Sequence, residues 1–158
     1  MPQTTTCLWF DNQGEDAAKF YTSIFPNSKI TETTRYFDNV PDRAGTVLTV
    51  EFELDGTPYT ALNGGPIFTF SEAISIQIYC EDQKEVDYYW DKLTEGGEES
   101  ACGWLKDKFG LSWQVVPTRM IELLSDPDKV KAQRAMECMM GQKKIDLAAI
   151  EAAYNGTA

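Results

Sequence analysis

The stretch AISIQIYCEDQKEVDYYWDKLTEGG, Ala73 to Gly97, decides the reading of the fold. Ala73 to Cys80 alternates β-branched and aromatic residues with polar ones and reads as a strand. A helix follows from Glu81 to Glu95. Asp82 and Glu85 have capping-box spacing, Val86, Tyr89, Trp90 and Leu93 fall at i, i+3, i+4 and i+7, and Gly96-Gly97 ends it. Two more strands, near Ser100 to Leu105 and Leu111 to Val116, flank a turn centred on Asp107 to Gly110.

The same order occurs earlier in the chain. Thr5 to Phe10 reads as a strand and Asn12 to Phe25 as a helix, with Asn12 and Glu15 at capping-box spacing and an apolar face of Phe20, Tyr21, Ile24 and Phe25. Pro26-Asn27 stops the helix. Strands follow at Lys29 to Tyr36, Thr46 to Leu54 and Thr57 to Asn63, the last two joined by an Asp55-Gly56 hairpin turn. A shift of 69 positions lays Thr5 to Phe10 on Ile74 to Tyr79 and Tyr21 on Trp90, while a shift of 54 lays Gly56 to Ala61 on Gly110 to Val115. Together these matches point to a duplicated module. Under the first shift, Thr5, Cys7 and Trp9, with Ile74, Ile76 and Ile78, face the helices. Thr6, Leu8 and Phe10, with Ser75, Gln77 and Tyr79, then line the other side.

Composition narrows the chemistry. The 158 residues suit one domain, and 42% hydrophobic content supports a packed core. The net charge of -11 disfavours nucleic acid and anionic membrane as partners. There is no histidine, which removes imidazole bases and histidine-ligated metals together. Cys7, Cys80, Cys102 and Cys138 form no CxxC pair, and no stretch has the length of a membrane span. The expectation is a cytoplasmic protein with reduced thiols.

The tail from Thr118 onward reads as helical. Ser125-Asp126-Pro127 places a cap before a helix-starting proline, with the helix running to Met140, and Asp146 caps a last helix carrying Leu147, Ile150 and Tyr154. Met136, Met139 and Met140 read as core or interface filling.

Four motifs carry a family resemblance: Trp9-Phe10-Asp11-Asn12 followed by Ala17 to Tyr21, Ala61 to Pro66, Trp104 to Gly110, and Ser112 to Pro117. On these the chain resembles the vicinal-oxygen-chelate superfamily of glyoxalases and bleomycin-resistance proteins, and within it the PhnB-like group labelled 3-demethylubiquinone-9 3-methyltransferase. The resemblance runs through nearly the whole chain, including the Asp126-Pro127 tail. It implies an α+β fold of two paired βαβββ modules forming a curved sheet around a concave cleft, commonly as a homodimer. The modules would span about 4–66 and 73–117 of a single domain 1–158, with a helical tail 118–158.

The resemblance also implies where a metal would sit: opening-strand positions matching Thr6 and Ser75, and closing-strand positions matching Thr60 and Gln114. Three hydroxyls and one amide are weak ligands, so no metal is expected. A methyl donor is not expected either, because Gly64-Gly65-Pro66 reads as a connection between modules rather than a nucleotide loop. Asn63 either orients a ligand or holds a turn.

The remaining candidates have structural readings beside functional ones. Cys7, Cys80 and Cys102 read as buried thiols, Glu51, Glu53 and Glu72 as solvated carboxylates, and Trp9, Trp104 and Trp113 as core. Phe10, Tyr36 and Tyr79 could line an apolar pocket. The leading expectation is a metal-independent protein without cofactor that binds a small apolar or aromatic molecule. Its site would use Thr6, Phe10, Tyr36, Thr60, Asn63, Ser75, Gln77, Tyr79 and Gln114. The alternatives are a lyase, dioxygenase or quinone-ring methyltransferase of the same superfamily, or a structural dimer that binds a protein partner.

Overall fold

The computed structural model describes residues 1–157, in two compact units, Met1–Phe70 and Ser71 onward. In the first, β1 (Thr6–Phe10), α1 (Gly14–Ile24), β2 (Lys29–Arg35), β3 (Val47–Leu54) and β4 (Thr57–Asn63) form a βαβββ module. Its sheet order is β1-β4-β3-β2, with β1 parallel to β4 and the other pairs antiparallel. The β3–β4 hairpin is the one the sequence announces. Asp55 and Gly56 both have positive φ, 47° and 82°, as a two-residue turn matched to strand twist requires.

The buried face of this sheet carries Leu8, Phe10, Val50, Phe52, Tyr59 and Ala61, covered by Ala17, Ala18, Tyr21 and Ile24 of α1. Phe52 stacks on Tyr59 at 5.4 Å and meets Tyr21 at 6.1 Å. Burying Leu8 and Phe10 is worth roughly 1.5–3 kcal/mol each, which fixes the face of β1. It is the reverse of the face expected: Leu8 and Phe10 lie in the core, while Cys7 is exposed and Trp9 half-buried. Both sets of alternate residues in Thr5 to Phe10 contain apolar side chains, so alternation alone does not choose between them.

The shift of 69 misled here for a countable reason. The β1–α1 connection has three residues, Asp11-Asn12-Gln13, while its counterpart in the second unit has two, Glu81-Asp82. The buried helix positions Tyr21 and Trp90 are 69 apart, but the buried strand positions Leu8 and Ile78 are 70 apart.

The second unit repeats the pattern with β5 (Ser75–Cys80), α2 (Gln83–Thr94), β6 (Glu98–Glu99), β7 (Trp104–Lys106) and β8 (Ser112–Pro117), in the order β5-β8-β7-β6. The capping box of α2 forms: Asp82 Oδ1 accepts from Glu85 N–H at 2.9 Å, and the Glu85 carboxylate accepts from Glu81 N–H at 2.9 Å. Val86, Trp90 and Leu93 pack with Ile78, Leu105, Trp113 and Val115 in the core. Trp104, expected in the core, is only half-buried. The turn before β8 is organised by Asp107, which is 2% exposed. Its Oδ1 accepts from Phe109 N–H at 2.9 Å and Leu111 N–H at 3.1 Å, and its Oδ2 from Trp113 Nε1 at 2.8 Å.

Three helices complete this unit: α3 (Thr118–Leu124), α4 (Lys129–Met140) and α5 (Leu147–Asn155). The α+β class, the two βαβββ modules and the C-terminal helices are those expected. The start of α4 is not, since the cap is Asp128, after Pro127 rather than before it, accepting from Val130 and Lys131 N–H at 3.1 and 3.2 Å. Asp126 instead accepts the Tyr154 hydroxyl at 2.7 Å. Asp146 caps α5 through Ala149 N–H at 3.1 Å, as its position suggests. Met136 and Met140 are 40% and 64% exposed and so do not fill a core. No helix among the described residues is long and apolar enough to cross a membrane.

Candidate functional site

In a parallel pair, registered residues share a face. The β5–β8 register sets Ser75 beside Ser112, Gln77 beside Gln114 and Tyr79 beside Val116. Ile78, Cys80, Trp113 and Val115 are buried beneath the helices, which leaves Ser75, Gln77, Tyr79, Ser112 and Gln114 on the open face. There four side chains form a hydrogen-bonded chain. Gln114 Nε2 donates to Ser75 Oγ at 2.9 Å, Gln77 Nε2 donates to Gln114 Oε1 at 3.5 Å, and the Tyr79 hydroxyl donates to Gln77 Oε1 at 2.6 Å. The β7–β8 register adds Trp104 beside Gln114 and Lys106 beside Ser112. The result is a row of fixed amide and hydroxyl groups with an indole at its side and a phenol ring, 58% exposed, at its end.

Ser112 extends this row in a way the sequence does not signal. It is 1% exposed and its Oγ has no hydrogen-bond partner. It borders a crevice of about 150 Å³ with Glu72, Glu98, Ser100, Trp104 and Lys106. The hydrogen bond and ion pair between Lys106 and Glu72 raise the ammonium pKa and lower that of the carboxyl. Lys106 is thereby held protonated, so it is not placed to activate Ser112 as a base.

The first unit does not assemble its candidates into one place. Thr60 pairs with Cys7 and Glu51 on the open face of its sheet. Thr6 pairs with Tyr59 on the opposite, α1-covered face, and Phe10 pairs with Asn63 on that same face, 3% exposed with its ring 5.2 Å from that of Phe70. Tyr36 and Asn63 come together elsewhere, with the Tyr36 hydroxyl donating to the Asn63 carbonyl oxygen. The Asn63 amide is occupied: Oδ1 accepts from Gly14 N–H at 2.8 Å and Nδ2 donates to the Val47 carbonyl at 3.1 Å. It therefore caps α1 from 49 residues away, replacing the expected Asn12 cap.

The thiols are poorly suited to nucleophilic work. Cys7 is exposed rather than buried as expected, yet partial desolvation still raises its pKa. Cys80 is buried, and desolvation, reinforced by the charges of Glu85 and Asp82, pushes it up to about 12.

Glu51 faces Glu32 across β2 and β3. A hydrogen bond from Glu32, followed by desolvation and the Glu32 charge, raises the Glu51 pKa above its ordinary value. The folded state thus holds this proton more tightly than the unfolded chain, and its contribution to stability is lost as pH rises through the raised value. Glu51→Gln is expected to melt higher than the parent at pH 7, with the difference shrinking as pH falls through the raised value and gone below about 4.5. Calorimetric scans across that range check it; a constant difference would refute the pairing.

The register also tests the groups that relatives use. The open-face pairs that open and close the modules are Cys7 with Thr60 and Gln77 with Gln114; Thr6 lies on the other face, while Ser75 shares the open face and bonds to Gln114. Two amides, a hydroxyl and a protonated thiol do not make a transition-metal donor set. Among the described residues no three Cys, Asp or Glu side chains group so as to hold a metal ion. The Gly64-Gly65 pair does not form a cofactor cradle. A Cβ on Gly64 would overlap the Trp9 indole, and one on Gly65, at φ 96°, would strike the Arg43 guanidinium. Trp9 Nε1 donates to the Gly65 carbonyl at 2.9 Å, so the glycines make room for the protein's own side chains.

The model of the 3-demethylubiquinone-9 3-methyltransferase family matches residues 2–116. The match ends before α3, so the three C-terminal helices lie outside it, contrary to the expectation that the resemblance reaches the Asp126-Pro127 tail. Curated proteins yield no match. Among solved structures, a PhnB protein from Bacillus cereus carrying the same methyltransferase designation is 34% identical over 73% of this chain and 99% of its own, with a TM-score of 0.67. A Pseudomonas aeruginosa protein is 17% identical over 74% of this chain and 98% of its own, with a TM-score of 0.61. The fosfomycin resistance protein FosX from Listeria monocytogenes is 17% identical over 79% of this chain and 98% of its own, at a TM-score of 0.52. The last two share the fold alone. The length of the family match and the Bacillus cereus identity together show that the chain belongs to the 3-demethylubiquinone-9 3-methyltransferase family, a branch of the vicinal-oxygen-chelate superfamily.

Proposed function

We propose that the protein binds a small apolar or aromatic molecule, without a metal, on the open face of the second module, and that it works as a homodimer. The hydrogen-bonded row Ser75–Gln114–Gln77–Tyr79 carries this reading. Each amide in the row is held by its neighbour and keeps a second N–H to offer, while Trp104 and Tyr79 supply flat apolar surface. A ring bearing carbonyl oxygens matches both features, and the quinone in the family's name is of that class.

A titration with a dimethoxy-methyl-benzoquinone, followed by tryptophan quenching, tests it. Gln114→Leu is expected to weaken binding about tenfold, the effect of one lost hydrogen bond of roughly 1–1.5 kcal/mol, with the melting temperature little changed. Unaltered affinity in a folded variant would end the proposal. Methyl transfer to such a ring is the second reading, supported by the family designation; its test is mass gain of a hydroxylated quinone incubated with protein and S-adenosylmethionine.

A further inference from the structure

A cavity at the start of the first unit's helix is lined by none of the residues of that open-face row. It encloses about 430 Å³ and is lined by Asp11, Asn12, Glu15 and Asp16 from the start of α1, by Tyr36, Arg43, Thr46 and Val47 from the β2–β3 connection, and by Asn63. A volume of that size falls within the range of small-molecule sites, about 300–1,000 Å³.

Its charges of opposite sign lie apart. Three carboxylates come from one segment and one guanidinium from the other, yet no carboxylate oxygen lies within 4 Å of Arg43 among the described residues. Arg43 is half-buried and is the one basic residue in the cavity's lining. It is held back from the carboxylates. Its Nη1 donates to the Tyr36 hydroxyl at 3.1 Å, its guanidinium lies 5.5 Å from the Tyr36 ring centroid, and Tyr36 is itself anchored on the Asn63 carbonyl. Of the carboxylates, Glu15 is paired with Lys19 at 3.5 Å, whereas Asp11 and Asp16 make no ion pair among the described residues.

A single negative ligand would meet Asp11 and Asp16, and a single positive one would meet Arg43. A ligand with an anionic and a cationic group satisfies both ends, and the Tyr36 ring and Val47 offer apolar surface to its side chain. We propose that this cavity binds a zwitterion of the α-amino acid class, its carboxylate on Arg43 and its ammonium on Asp11 and Asp16. The site is separate from the open-face row and does not rest on it.

Calorimetric titration of the full chain with neutral L-α-amino acids from glycine to phenylalanine tests the proposal, with phenethylamine and phenylpropionate as the charge-deleted forms of phenylalanine. At least one amino acid should bind, and should do so at least about tenfold more tightly than its own charge-deleted forms. Arg43→Met should weaken that amino acid at least about tenfold while leaving its decarboxylated amine unchanged, and Asp16→Asn should act on the ammonium end in the same way. Melting temperatures confirm that each variant is folded, and Arg43→Lys should restore part of the affinity. Absence of binding by the whole panel at millimolar concentration would overturn the site. So would equal binding of the amine alone, which would make it a cation pocket, or full affinity in folded Arg43→Met.

Discussion

Asp107→Ala is expected to lower the unfolding free energy by about 3–5 kcal/mol, because three donors lose their acceptor in the core and each such loss costs roughly 1–3 kcal/mol. The donors are Phe109 N–H, Leu111 N–H and Trp113 Nε1, and Asp107 and Trp113 are 2% and 0% exposed. Water has little access to replace the lost bonds. Asp107→Asn keeps the volume but cannot keep all three, since one carboxylate oxygen serves two donors and the other serves the indole. Whichever way the amide turns, its NH₂ faces a donor. This variant is therefore expected to fall between alanine and the parent in urea unfolding. Less than about 1 kcal/mol lost in Asp107→Ala would mean that the turn before β8 holds without its carboxylate.

Asn63→Ala carries the second largest expected cost, about 2–4 kcal/mol from one buried and one part-buried bond. Gly14 N–H at the start of α1 and the Val47 carbonyl on β3 would both be left without their partner. Asn63→Asp separates the two contributions. It keeps an acceptor for Gly14 and adds negative charge at the positive end of the helix, but loses the donor to Val47 and brings that charge near Glu15 and Asp16. Its loss should be smaller than that of alanine. Urea unfolding orders the two, and equal losses would show that the buried charge cancels what the helix cap contributes.

These two residues also mark where the sequence stops being legible. Asp107 lies in a motif that reads as a turn, and nothing local says that its carboxylate is buried against Trp113. Asn63 caps a helix 49 residues earlier, whereas the spacing of Asn12 and Glu15 pointed to a local cap that does not form. Local chemistry was readable where it was sufficient. Asp55-Gly56 fixed its hairpin, Asp82 and Glu85 their capping box, and Asp146 its helix. The α3 helix follows Pro117 with no side-chain cap, and β6 is two glutamates paired only because β7 lies alongside.

The candidate site divides in the same way. Alternation along Ile74 to Cys80 placed Ser75, Gln77 and Tyr79 on one face, since Ile78 and Cys80 clearly belong to the other. The strand Thr5 to Phe10 has apolar residues on both faces, so its alternation does not show that Thr6 and Phe10 lie on the covered one. Arg43 and the buried hydroxyl of Ser112 had no local signature at all. Their importance comes from partners they lack, and a missing partner is visible only in three dimensions.

The unequal strand-to-helix connections, three residues in the first module and two in the second, bear on the history of the gene. Duplication of one ancestral half accounts for both modules only if a single codon was gained or lost at that junction afterwards. The junction tolerates such an event because strand and helix keep their own hydrophobic faces on either side of it. An alignment of the two halves without a gap there pairs Cys7 with Ile76 instead of Gln77, and so compares an open-face residue with one of the opposite face.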